Sequence, residues 1–208
     1  IMDHYRTFRR LGLNVDFVHK NTEDFSGYKL ISVVGAIHIS TDLISRISKA
    51  MATLVFGPRT GARVGNMQIP KNLPPQINLV KSRILRVETL PSNVSLEIDP
   101  VGRADRYIET IKVDNNASPY LKLKSGQVIA TKEESGAIYL ASMIDQEGLA
   151  AFYKKLFKEI KLDFLLMPDG IRRRSTENEE FWFNYNNQVV QTKIGEMKPA
   201  DIIRLPRV

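Results

Sequence analysis

The 208-residue chain contains no cysteine, which excludes disulfides, zinc-thiolate centres and a cysteine nucleophile and fits a reducing compartment. No apolar run approaches the roughly 18 residues that span a bilayer, and no charged, apolar, small-residue series marks a secretory leader. The expectation is a soluble, cytoplasmic protein without membrane contact. Histidines number only 3, and His4, His19 and His38 stand far apart near the ends of predicted elements. A metal centre would need them to converge with a carboxylate such as Asp16 or Asp42, so neither metal nor cofactor is expected. There is no G-x-S-x-G nucleophile turn, no P-loop, no dinucleotide fingerprint, no internal repeat and no low-complexity tract.

What is present is the composition of a globular protein, 43% hydrophobic and 25% charged, with length for one ordinary domain and a small second one. The net charge of +7 gives a field that attracts anions. Basic residues are nevertheless scattered, and the densest run is Arg172 to Arg174. Together with the aromatic segment Phe181, Trp182, Phe183 and Tyr185, that run defines one reading, a binding module for nucleic acid or another polyanion. A full nucleic-acid recognition motif is absent, so nucleic acid is not the expected partner.

Tyr5, Phe8 and Leu11 recur at helical spacing before Gly12 and predict a helix over residues 2–11. Val15, Phe17 and Val18 read as a short strand, and residues 21–27 as a polar turn. Residues 29–35 (KLISVVG) carry the apolar, β-branched pattern of a strand buried on both faces of a parallel sheet. Such a strand demands a crossover. Ser40 or Thr41 can cap that helix, with Asp42 at its positive end and Leu43, Ile44, Ile47 and Met51 as its apolar face. Residues 53–56 repeat the strand pattern and break at Gly57-Pro58, placing Arg59, Thr60 and Gly61 beyond the strand's carboxyl end, the edge that open α/β sheets use for binding.

Residues 57–80 read as a long ordered loop, a feature that commonly makes contacts. Residues 83–98 suggest a hairpin or two strands, and residues 105–112 (DRYIETIK) fit either a strand or a short helix. Three strands follow between 120 and 140. After Asp145, the residues Leu149, Phe152, Tyr153, Leu156, Phe157 and Ile160 trace the clearest helix in the chain. From Pro168-Asp169-Gly170 onward the pattern becomes short strands with turns at hairpin spacing.

The segments YRTFRRLGLNVDFV (5–18), GYKLISVVG (27–35), LVFGPRTG (54–61) and GAIYL (136–140), followed by the helix from Glu147, resemble in this order the trimer-forming domain of family 42 glycoside hydrolases. The tail, with PDGIRRR and FWFNYNN, is similar to that family's terminal β domain. The resemblance implies a doubly wound α/β domain with a mostly parallel sheet, like those of class I glutamine amidotransferases, over residues 1–166, and a small antiparallel β domain over 167–208. It implies a non-catalytic role in homotrimer assembly, with the chain itself and a catalytic barrel as partners. That barrel would hydrolyse terminal β-galactosides by a retaining, two-glutamate route. The chain enters a helix almost at once where a doubly wound unit would open on a strand, so a strand and the barrel are expected upstream. One departure from the family pattern lies before Thr53, where Lys49-Ala50-Met51-Ala52 replaces a Gly-Gly turn. Amidotransferase chemistry is excluded by the lack of cysteine.

No catalytic carboxylate pair stands out. Glu133-Glu134 and Glu179-Glu180 are adjacent, so on a strand each pair points to opposite faces, and all four read as solvated. The candidate site is the loop Gly57, Arg59, Thr60 and Gly61, with two roles open. Its glycines permit close backbone approach and its arginine can grip a carboxylate or phosphate, or the arginine makes structural or intersubunit hydrogen bonds.

Overall fold

A computed structural model describes residues 1–207. They divide into two compact units, one formed by residues 18–152 and the other by residues 1–17 with the chain from Tyr153 onward.

The larger unit holds β1 (Leu30–Val33), α2 (Thr41–Ser48), β2 (Thr53–Phe56), β3 (Arg83–Thr89), β4 (Leu96–Asp99), β5 (Arg103–Lys112), β6 (Ser118–Leu123), β7 (Val128–Lys132), β8 (Ile138–Leu140) and β9 (Ser142–Ile144). The strands form one nine-stranded sheet in the order β1-β2-β8-β7-β6-β4-β5-β3, with β9 paired to β5. Pairing is parallel between β1 and β2 and between β2 and β8. Every other pair is antiparallel. The α/β class holds, and the parallel part is confined to these three strands for a simple reason. Parallel neighbours need a crossover of about a dozen residues or more. The chain provides one through α2 and another between β2 and β8, whereas β4 to β8 follow one another through short turns.

Helix α2 forms where expected. The Ser40 hydroxyl accepts the Leu43 N–H at 3.2 Å, and Ile44 and Ile47 are buried against Leu54, Phe56 and Tyr139. Met51 does not belong to this apolar face: it is 99% exposed. Its φ of +53° supplies the left-handed turn into β2, so methionine stands where a glycine would carry no steric penalty. Strand β1 ends the sheet, and only Ile31 within it is buried, which corrects the expectation of a strand buried on both faces.

The strand expected at Val15 to Val18 does not form. Phe17 and Val18 are 66% and 43% exposed, no ladder pairs with them among the described residues, and unpaired backbone does not make a strand. Residues 83–98 supply two strands that pair elsewhere rather than with each other. Residues 103–112 are a strand, held by β9 along one edge and by β3 and β4 along the other.

In the smaller unit, α1 (Met2–Arg10) is tied at its end by the Leu165 N–H to Leu11 O (3.0 Å) and the Met167 N–H to Arg10 O (2.8 Å). Helix α3 (Gln146–Glu159) belongs to both units. Its start is capped by Asp145, whose carboxylate accepts the Gly148 N–H at 2.8 Å. Its later residues join an aromatic cluster in which Phe8 lies 4.5 Å from Tyr153, and Tyr153 5.7 Å from Phe157, between ring centroids.

The tail forms a three-stranded antiparallel sheet of β10 (Ile171–Ser175), β11 (Glu179–Asn184) and β14 (Ile202–Pro206), and a two-stranded one of β12 (Val190–Thr192) and β13 (Gly195–Met197). Trp182, Met167, Ile171 and Met197 make its core. Asn184 is buried and donates to the carbonyls of Gln188, Met197 and Lys198, which satisfies backbone groups that the short strands leave open.

Candidate functional site

The loop from Gly57 to Gly61 sits where the sequence places it, beyond the carboxyl end of β2, and hydrogen bonds hold it there. The Gly57 N–H donates to Val33 O (2.8 Å), the Gly61 N–H to Ala36 O (2.9 Å), and the Gln76 N–H to Gly61 O (2.7 Å). Thr60 is fully buried, with its hydroxyl donating to Val33 O at 3.1 Å. Glycine is required at both ends. A Cβ at Gly57 would stand 2.8 Å from a Val34 methyl. At Gly61, where φ is +69°, it would stand 2.9 Å from Ile77 and 3.0 Å from the Gln76 nitrogen.

Between these fixed points Arg59 adopts φ +66°, a region that non-glycine residues other than asparagine and aspartate seldom visit. Its N–H donates to the Glu109 carboxylate at 3.1 Å. The same carboxylate accepts the Tyr107 hydroxyl and the Tyr139 hydroxyl, each at 2.8 Å. Glu109 is 2% exposed, and burial pushes its carboxyl above the usual carboxylate range although all three hydrogen bonds and the nearby Arg59 charge act the other way. Burial and the adjoining carboxylate raise both tyrosines as well. The Arg59 side chain is exposed, with its guanidinium 5.8 Å from the centre of the Tyr107 ring.

Glu109 was not signalled as a site residue by the sequence, where it stands in an ordinary strand pattern. The one available cue is Tyr107 two positions earlier, on the same face of the strand.

The second buried carboxylate is a correction. Glu133, expected in solvent, is 4% exposed and accepts the N–H groups of Lys81 and Ser82 and the hydroxyl of Thr131. It pins the end of the long 57–80 loop. A turn at the end of β7 can be covered by another loop, which its own sequence does not reveal. Glu134 is exposed. Glu179 pairs with Arg204, and Glu180 accepts from Arg173 and from the Trp182 indole, both at 3.2 Å, so these two are also partnered rather than simply solvated.

The arginine run does not present three cations together. Arg173 is turned into the protein, donating to Glu180 and to Gly12 O. Arg172 donates to Ile171 O, and partial burial with Arg9 and Arg10 nearby lowers its pKa. Arg174 is exposed. Trp182 faces the core while Tyr185 is 72% exposed and stacks on Phe183. The histidines stay apart. His4 is buried with Nδ1 2.7 Å from the Tyr153 hydroxyl, His19 accepts the Asn21 N–H, and His38 lies 3.4 Å from Arg63 O. Among the described residues no group of histidine and carboxylate side chains could hold a metal ion, and no helix is long and apolar enough to cross a membrane.

A mixed sheet of this order with a tethered loop at the carboxyl edge of β2, followed by a small antiparallel module, defines an α/β domain with a β appendage. Residues 1–163 match the family model of the β-galactosidase trimerisation domain, and residues 170–207 that of the β-galactosidase C-terminal domain. The chain belongs to this family, the trimerisation domains of family 42 glycoside hydrolases.

It is 31% identical over 196 residues to the β-galactosidase BgaA of a Thermus species and 30% identical to a β-galactosidase of Thermus thermophilus. Each match covers 92% of this chain and 30% of the relative; the chain thus spans about a third of their length. Among solved structures it superposes on the β-galactosidase of the psychrophile Marinomonas ef1 with a TM-score of 0.88 and 30% identity, covering 98% of this chain and 32% of that one. The haloarchaeal enzyme of Halorubrum lacusprofundi gives 0.86 at 17% identity, covering 99% and 35%, a likeness of fold.

Proposed function

We propose that this chain is the self-assembling, non-catalytic part of a β-galactosidase and that its task is to join three copies around a threefold axis. The observation that carries this reading is the match of residues 1–163 to the trimerisation domain. We place the division between this assembly domain and the small β domain at 166/167, between the two matched stretches. Hydrolysis of terminal β-galactosides by a retaining pair of carboxylates is assigned to a longer protein that includes a catalytic barrel.

The site chemistry supports that assignment. A retaining pair needs two carboxyl groups about 5 Å apart that face one sugar. The two buried glutamates, Glu109 and Glu133, each accept three hydrogen bonds from protein donors and are engaged in holding loops of the fold. Incubating the purified chain with a chromogenic β-galactoside tests the division of labour. No release of chromophore is expected, and turnover abolished by substituting one of its carboxylates would overturn the reading. The cytoplasm remains the proposed compartment.

A further inference from the structure

The conformation of Arg59 separates two questions, what holds the loop and what the side chain is for. Glu109, a buried carboxylate, binds the Arg59 backbone N–H, and any residue except proline would supply that donor. The left-handed φ favours glycine or asparagine. A nearby positive charge favours the ionised Glu109, but neither feature calls for the hydrogen-bonding fork of arginine. Even so, an exposed guanidinium is displayed there above the Tyr107 ring, and among the described residues it makes no hydrogen bond or ion pair of its own. A strained position held by buried polar groups points to a use for the group it presents.

Guanidinium is the side chain suited to a carboxylate, through two parallel hydrogen bonds. In a threefold ring every contact is heterologous, so a receptor on one copy meets a different patch on the next. The chain carries 23 aspartate and glutamate residues to supply the other half.

We propose that Arg59 is the recognition residue for a carboxylate of a second copy of this chain, and that Glu109 and Tyr107 are positioning residues that hold it at the edge of β2. The proposal rests on the assembly reading above. Its test is sedimentation equilibrium of the full chain at several salt concentrations, for the wild type and for Arg59→Ala, Arg59→Lys, Glu109→Leu and Glu109→Gln, with Trp182 fluorescence and circular dichroism as checks of fold.

Arg59→Ala is expected to weaken assembly about tenfold or more, the size of one lost charge-assisted contact, and to remove most of its salt dependence. Arg59→Lys restores only part, because one ammonium cannot reproduce the two-point grip. Glu109→Leu weakens assembly, Glu109→Gln, which keeps an acceptor for the Arg59 N–H, rescues it, and Glu109→Leu adds nothing in the Arg59→Ala background. A wild type that assembles while Arg59→Ala assembles equally well overturns this inference and leaves the assembly reading standing. A wild type that stays monomeric at every concentration overturns the assembly reading and this inference with it. An equal effect of Glu109→Leu in both backgrounds overturns the positioning role of Glu109.

Discussion

Acidification should destabilise the smaller unit through one residue, His4. It is 8% exposed, and burial, the largest influence and only partly opposed by Asp3, lowers its pKa from 6.5 to about 4. The folded protein therefore holds His4 neutral beside the Tyr153 hydroxyl, while the unfolded chain protonates it near the ordinary value. Between these two values the unfolded state binds more protons, so stability rises with pH there. The contribution is complete above the unfolded pKa and is lost as pH falls through 6.5 toward 4. A displacement of this size corresponds to about 3 kcal/mol at its limit, a large share of the 5–15 kcal/mol that domains commonly have.

The assay is urea unfolding at fixed chain concentration, followed by Trp182, the single tryptophan, which lies in the same unit. His4→Gln removes the titration and keeps a hydrogen-bonding group near Tyr153. From about pH 7 to about pH 4 the wild type should lose about 3 kcal/mol more than the variant. Parallel stability curves for the two proteins would refute the reasoning.

Two further outcomes concern the loop. Glu109 has its pKa raised by burial, the opposite sign for stability. Its contribution is present below the unfolded carboxylate value and falls as pH rises through the folded one, so Glu109→Gln should flatten the loss of stability with rising pH in a denaturation series; an unchanged slope counts against it. Gly61→Ala forces a Cβ onto Ile77 and the Gln76 backbone at positive φ and should cost about 1–3 kcal/mol. A calorimetric midpoint equal to that of the wild type would show that the loop can shift to admit a methyl group.

The elements that stood out in the sequence are those whose own spacing reports their surroundings. Helix α2 with Ser40 as its cap, helix α3 with Asp145 as its cap, and strands β2, β7 and β8 all follow local periodicity or capping chemistry, and so does the break at Gly57-Pro58. What could not be read depends on partners distant in the chain. Residues 15–18 have a strand's composition but no ladder, and β1 has a central strand's composition at the sheet's edge. Residues 103–112 became a strand because β3, β4 and β9 lie beside them, a choice their own periodicity leaves open. The loop itself was legible from its glycines. Its anchor was not, because nothing in a single sequence links Glu109 to the backbone of Arg59, fifty residues earlier, or exposes Glu133 as the clasp of the 79–82 segment. Met51 shows the converse, an exposed apolar residue assigned to a helix face although its backbone makes a left-handed turn.

The most direct test of the assembly claim is the mass of the chain in solution, measured by multi-angle light scattering across a range of concentrations. Self-association around a threefold axis predicts a limiting mass of three times the 23.6 kDa chain, reached as concentration rises. A mass of one chain at every concentration, or a limit of two chains, would contradict it.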